Sequence, residues 1–190
     1  VAEGLRERGF SDAAMPGGPA PRGFGFTTLA SAAGTLLAAP GGPRLAALEV
    51  GGWDTHVGQA RRLSYPLGAL DAGMMALKDG LGDAWADTAV LVITEFGRTA
   101  RINGTQGTDH GTGTIAFLLG GAVAGGRVLA NWPGLKPSNL FENRDLAPTT
   151  DLRAVAKGVL AAHLGLTPAA LAKVFPNSAD AAPLTGLIRA

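Results

Sequence analysis

The chain has 190 residues, of which 46% are hydrophobic and 16% are charged, and its formal net charge is +1. This length and composition predict one globular domain, and they exclude the basic surface that a nucleic-acid-binding protein needs. The absence of cysteine excludes disulfides, thiolate metal sites and cysteine nucleophiles. No apolar run approaches the roughly 20 residues that span a bilayer, so no membrane span is expected.

The first 25 residues are expected to be a loop or linker. Residues 1–9 can form a short helix, but proline and glycine recur through residues 15–25 and would interrupt it. The chain opens with neither a methionine nor a signal-peptide pattern. We therefore expect residues 1–190 to be a single domain that is incomplete at its N-terminus.

Hydrophobic periodicity predicts helices and strands that alternate along the rest of the chain. In order, the predicted elements are a helix over 27–39, a strand over 44–50, a long helix over 57–81, a strand over 88–94, a strand over 114–119, a short strand over 127–129, a helix over 151–164 and a helix from 168 onward. The first two strands and the long helix would form a right-handed βαβ unit. This alternation predicts an α/β sandwich with a mainly parallel sheet.

Acidic residues and histidines follow the predicted strands. Asp54 and His56 come just after the first strand, and Glu95 comes directly after the second. Asp109 and His110 lie in the loop that leads to the third strand. Because ligands bind beyond the carboxyl ends of the strands in such sheets, we expect these five residues to meet at one sheet edge.

The spacing of these residues suggests a metal site. Residues two apart in an extended chain point the same way, so Asp54 and His56 can bind one ion together. Adjacent residues point apart, so Asp109 and His110 would serve two ions or two faces of one ion. Carboxylate oxygen with imidazole nitrogen suits zinc, manganese or iron better than calcium. A pair of ions about 3.5–4 Å apart would polarise a phosphoryl or sulfuryl oxygen and deliver a hydroxide.

Each of these patterns also has a structural explanation. An Asp-Thr-His segment after a strand can be a simple turn, and an Asp-His pair in a glycine-rich loop can be structural. Glu95 and Arg98 can form an ion pair. Alternatively, Glu95 is a ligand or acid, while Arg98 or Arg101 anchors an anionic substrate. His163 lies in a predicted helix and is expected to be structural.

Five short motifs stand out between about residues 44 and 166. They are Gly-Gly-Trp-Asp-Thr-His (51–56), Thr-Glu-Phe-Gly-Arg-Thr (94–99), Gly-Thr-Asp-His-Gly (107–111), Gly-Gly-Arg-Val (125–128) and Trp-Pro-Gly-Leu (132–135). In order and approximate spacing they resemble the C-terminal half of the bacterial domain-of-unknown-function family fifteen-oh-one. That family is similar to sulfatases and to the alkaline phosphatase superfamily. The resemblance implies a three-layer α/β/α sandwich, a divalent-metal site, and export to the periplasm or beyond the cell.

The resemblance also implies roles for individual residues. Asp54 and His56 match the first metal-binding segment, and Asp109 and His110 match the second. We therefore expect a zinc- or manganese-dependent hydrolase, with one or two ions, acting on small anionic phosphate or sulfate esters. Glu95 and Arg98 would support catalysis.

Two departures from the superfamily pattern keep a second hypothesis open. The chain has no convincing counterpart of the superfamily's hydroxyl or formylglycine nucleophile. Only His163 follows the Asp-His pair, where relatives carry a further metal-binding histidine. The alternative is a non-catalytic exported binding or scaffold module. A mutase is a weaker option, because it would need a phosphorylatable residue.

Overall fold

The computed structural model describes residues 25–189 of the chain. The described residues divide into two compact units: residues 25–54 with Arg61–Ala84, and Thr55–Ala60 with residues 85–189. The helices are α1 Phe26–Ala38, α2 Gln59–Leu81, α3 Leu152–Leu164 and α4 Pro168–Val174, and the strands are β1 Val90–Val92, β2 Gly97–Arg98, β3 His110–Gly111 and β4 Phe117–Leu119. Short 3-10 turns lie at Gly82–Asp87 and Pro137–Asn139. The expectation for residues 1–25 falls almost wholly outside the described residues.

In the first unit, α1 packs on α2 at small residues. A Cβ atom at Gly34 would lie 2.5 Å from the Leu77 carbonyl oxygen, and one at Gly80 would lie 2.6 Å from the Ser31 carbonyl oxygen. Because neither position has room for a side chain, the two backbones approach closely. Ala30 of α1 is fully buried in the same unit.

The prediction of a three-layer α/β/α sandwich with a mainly parallel sheet is wrong. The regular structure of the described residues is mostly helical, and their strands form two small antiparallel sheets. One sheet pairs β1 with β4, with Val90 opposite Leu119. The other pairs β2 with β3, with Arg98 opposite His110. The apolar run 88–94 therefore contains only the three-residue antiparallel strand β1, and it does not form the centre of a parallel sheet.

Two predicted strands do not form within residues 25–189. Among the described residues, 44–50 and 127–129 belong to no strand, and nearly all of them are exposed. An extended segment becomes a strand only when a neighbour completes its backbone hydrogen bonds, and an apolar run alone does not supply that neighbour. The predicted right-handed βαβ unit fails for the same reason.

The predicted helices are confirmed where the chain is described, because their end signals are local. The Asp151 side chain caps α3 by accepting a hydrogen bond from the Arg153 N–H, and Gly165 ends that helix with a φ of +67°. Thr167 caps α4 in the same way, with proline in its first turn. Within the described range, every helix is too short or too polar to cross a lipid bilayer.

A third backbone segment extends the β2–β3 pair in the second unit. The Ala100 N–H donates to the Arg144 carbonyl at 3.0 Å, and Thr99 forms an isolated bridge with Asp145. The Asp145 carboxylate is buried and bonds to Arg144 at 2.7 Å and to the Thr112 hydroxyl at 3.1 Å. This segment therefore supports β2 on the side away from β3 and fixes the chain just after β3.

Candidate metal centre

Two segments of the second unit, residues 55–59 and residues 103–110, lie side by side. They are about fifty residues apart in the sequence, yet their backbones are joined by several hydrogen bonds. These bonds run from the Thr108 N–H to Thr55 O (3.3 Å), from the Gly58 N–H to Thr105 O (3.0 Å) and from the Gln59 N–H to Gln106 O (2.9 Å).

A buried polar contact locks the two segments together. The Gln59 side-chain oxygen accepts hydrogen bonds from the hydroxyls of Thr55 (3.0 Å) and Thr108 (2.6 Å), one from each segment. Thr55 is only 2% exposed, so its hydroxyl requires such a partner. A side chain at Gly107 would collide with the backbone carbonyl of His56, so only glycine fits this position.

Asn103 connects the 103–110 segment to both sides of His56. Its side-chain N–H groups donate to the His56 carbonyl at 3.0 Å and to Asp109 Oδ1 at 2.9 Å. Its side-chain oxygen accepts from the Thr105 N–H, the Thr105 hydroxyl and the Gly107 N–H. The sequence analysis missed this residue, although an asparagine that bonds to the backbone two residues on is a familiar turn signal.

His56 lies between a carboxylate and a second imidazole. Its Nδ1 is 3.0 Å from Asp109 Oδ1, and its Nε2 is 3.1 Å from His110 Nε2. A hydrogen bond from Asn103, and to a smaller extent one from His56, holds the pKa of Asp109 below its ordinary value. An ionised carboxylate only accepts, so Nδ1 of His56 donates the hydrogen bond to Asp109, and its Nε2 faces His110.

Phe96 and Arg98 are the neighbours of His110 on β2 and just before it. The Phe96 ring stacks on the His110 ring with centroids 4.2 Å apart and an interplanar angle of 27°. Arg98 lies opposite His110 across the β2–β3 pair, and its Nη1 donates to the Thr108 carbonyl at 2.9 Å. Arg98 thus fixes the loop that carries Asp109. Phe96 was not predicted from the sequence, since an aromatic residue after a strand carries no sign of its stacking partner.

The structure brings His56, Asp109 and His110 together, as the sequence analysis expected. Asp54 precedes His56 by two residues, and one potential ligand atom from each of Asp54, His56 and His110 lies within 4.8 Å of the others. These three residues form a group that could hold a metal ion. The reason for the convergence differs from the prediction, because paired loops bring the side chains together rather than the edge of a parallel sheet.

Glu95 and Arg98 were expected to support catalysis. Glu95 lies in a bend after β1, and its carboxylate accepts a hydrogen bond from the Thr94 hydroxyl at 3.2 Å. Arg98 joins the 103–110 segment through its bond to Thr108, as described above. His163, the third histidine, lies in the last turn of α3, and the structural role expected of it stays a prediction.

Comparison with known proteins yields one match. No curated protein and no solved structure matches the chain. The model of one protein family matches residues 12–175, which is more than half of the chain, and it is the family that the five motifs indicated. The chain therefore belongs to the family described as Protein of unknown function (DUF1501).

Proposed function

We propose that the chain holds one divalent metal ion, zinc or manganese, through the Nε2 atoms of His56 and His110 and the carboxylate of Asp54. The supporting observation is the 3.1 Å separation of the two Nε2 atoms. Two nitrogens that each lie about 2.0–2.1 Å from a tetrahedral zinc ion are roughly 3.3 Å apart. The two imidazoles are thus spaced as ligands of a single ion would be.

In this proposal Asp109 orients His56 and does not bind the metal. Its Oδ1 accepts the Nδ1 proton of His56, which is the arrangement of a carboxylate behind a metal-binding histidine. The hydrogen bond fixes the ring orientation and makes Nε2 a stronger ligand. This assignment refines the expectation from sequence, in which Asp109 was itself a ligand.

The activity that fits this site best is hydrolysis of phosphate or sulfate esters. A divalent ion held here would act as a Lewis acid and would activate a water molecule as the nucleophile, so the chain would need no hydroxyl nucleophile of its own. Arg144 provides positive charge nearby: its side chain is 62% exposed, and its charge lowers the pKa of Asp109. We infer that Arg144, with its guanidinium held by the buried Asp145, attracts the anionic ester group.

Metal analysis of three histidine variants tests this proposal. Protein purified without chelator should contain about one equivalent of metal, because the site offers three ligands of the types that zinc prefers. His56→Ala and His110→Ala should each lose it, whereas His163→Gln should retain it as the matched control. Metal-free wild-type protein that takes up no zinc or manganese would refute the site.

A second candidate is a metal-binding module without turnover. The open position of the cluster favours it, since the side chains of His56 and Asp109 are 39% and 55% exposed. Catalytic metal sites work best where water is excluded. Hydrolysis of an aryl phosphate or aryl sulfate by the metal-loaded protein, lost in His110→Ala, would eliminate this candidate. Metal binding without hydrolysis would support it.

The cellular location is a separate proposal that rests on the family resemblance. We propose that the protein functions outside the cytoplasm, in the periplasm or as a secreted protein. Cell fractionation of the native host, followed by detection with an antibody, tests this directly. Recovery of the protein with the cytoplasmic fraction would contradict it.

A further inference from the structure

We propose that Asn103 is a positioning residue for the metal centre. Its side-chain amide holds the Asp109 carboxylate against Nδ1 of His56, and so presents Nε2 of His56 to the metal. This inference rests on the proposed metal site, but part of its test does not require metal. Asn103 acts on the imidazole of His56 through Asp109, and its own amide bonds go to the His56 carbonyl and to the Asp109 carboxylate.

Two donors converge on one oxygen of Asp109. The Asn103 Nδ2 lies 2.9 Å from Oδ1, and the His56 Nδ1 lies 3.0 Å from the same atom. Asp109 is 55% exposed, so a single hydrogen bond would leave its carboxylate free to rotate toward solvent. The second donor restrains that rotation and keeps Oδ1 on the His56 ring.

The orientation of the Asn103 amide is itself determined by its partners. Its Oδ1 receives hydrogen bonds from the Thr105 N–H at 3.0 Å, the Thr105 hydroxyl at 2.9 Å and the Gly107 N–H at 2.9 Å. The two backbone N–H groups can only donate, so the atom that faces them must be the oxygen. The NH₂ group is therefore forced toward Asp109 and cannot flip.

The same NH₂ group also fixes the backbone of His56. It donates to the His56 carbonyl at 3.0 Å, so one amide is bonded to both the main chain of His56 and the side-chain partner of its ring. A residue that only shaped the turn would need the bonds to Thr105 and Gly107 and no others. The bonds to His56 and Asp109 are what the positioning role adds.

Two variants compare the bond from Asn103 to Asp109 with the bonds of the Thr105 hydroxyl. Asn103→Ala removes the bond to Asp109 together with the turn bonds. Thr105→Val removes the Thr105 hydroxyl, which bonds to Asn103 Oδ1 and to the His56 carbonyl, but it leaves the bond from Asn103 to Asp109. We expect the zinc affinity to fall about tenfold in Asn103→Ala, at the lower end of the range for outer-shell changes. We expect a clearly smaller change in Thr105→Val.

Nitrogen NMR of the metal-free protein reports the tautomer of His56. This tautomer would not change if Asn103 only shaped the turn. In the wild type, we expect His56 to be a single tautomer with the proton on Nδ1. Asn103→Ala should show a mixture of tautomers, and Thr105→Val should resemble the wild type. If Asn103→Ala does not fold, Asn103→Ser takes its place, and the wild-type spectrum still tests the assignment.

The outcomes are distinct. A wild-type His56 with its proton on Nε2 would overturn the inference, and so would an Asn103→Ala protein with wild-type zinc affinity and a single Nδ1–H tautomer. Equal losses of zinc affinity in Asn103→Ala and Thr105→Val would mean that the bond to Asp109 adds nothing to the bonds of the turn. That result would also overturn the inference. A wild-type protein that binds no zinc, but whose His56 tautomer depends on Asn103, would refute the metal site while supporting the positioning role.

Discussion

Lys157 and Asn103 each hold a loop with hydrogen bonds from one side chain, but in opposite surroundings. Lys157 is 6% exposed, and its ammonium donates to the carbonyls of Ser178 (2.5 Å) and Ala181 (2.9 Å). Asn103 also reaches a backbone carbonyl, but its second NH₂ bond goes to the ionised, solvent-facing Asp109. We infer that the first network stabilises the fold alone, whereas the second extends into a site.

This difference separates two kinds of polar network, one buried and one that ends at the surface. A charge such as that of Lys157 is retained because removing it would leave buried carbonyls without donors. A chain of hydrogen bonds that ends on an exposed carboxylate and imidazole gains little for stability, since exposed ionic contacts are weak. Its value must then lie in the orientation of His56. Substitutions at Lys157, Asp109 and Asp145 test this separation.

The largest expected effect on stability is at Lys157. Lys157→Ala should lower the free energy of unfolding by about 3 kcal/mol, because the carbonyls of Ser178 and Ala181 lose their donor. Zinc affinity should not change. Denaturant unfolding measures the loss, with the exposed Lys173→Ala as the control. A Lys157→Ala protein of normal stability and reduced zinc affinity would reverse the comparison.

The next effect is on binding and lies at Asp109. Asp109→Asn should reduce zinc affinity about 10- to 100-fold, because an amide cannot fix the Nδ1 proton of His56 as a carboxylate does. Stability should be almost unchanged. Isothermal titration calorimetry with zinc gives the affinity. A loss well beyond this range would instead make Asp109 a direct ligand, as the sequence analysis first expected.

The smallest effect is the acid dependence of Asp145. Arg144 beside it lowers the pKa of Asp145 from its ordinary value of 3.8. The stability from its ionised form is therefore present above pH 3.8 and lost as the pH falls through the lowered pKa of the folded state. Asp145→Asn should cost about 1 kcal/mol at neutral pH and less at acid pH. Thermal unfolding against pH tests this, with Asp87→Asn as the control.

The helices could be predicted from the sequence because their signals are local. The cap at Asp151 and the stop at Gly165 lie within the elements that they bound. The strands could not be predicted as well, since pairing depends on distant segments. The apolar runs 44–50 and 88–94 look alike in sequence, but within residues 25–189 only the second has a strand partner, at Phe117–Leu119.

The candidate residues could be chosen by their chemistry, but the reason given for their convergence, the edge of a parallel sheet, was wrong. Histidines beside aspartates are few in this chain, so His56, Asp109 and His110 were conspicuous. Gln59 and Asn103 were missed because each joins its own segment to a residue about fifty positions away, Thr108 for Gln59 and His56 for Asn103. A glutamine that bonds to two buried threonines has no signature in sequence.

Asn103 is followed by Gly104, and this neighbour has a chemical consequence. Glycine leaves its backbone nitrogen unhindered, so that nitrogen can attack the asparagine side chain, release ammonia and, after hydrolysis, leave an aspartate or an isoaspartate. Aspartate would replace the NH₂ group that faces Asp109 with an oxygen, and two carboxylates would then repel each other. A stored sample would thus bind metal more weakly while keeping its helices, and peptide mass spectrometry would reveal the cause.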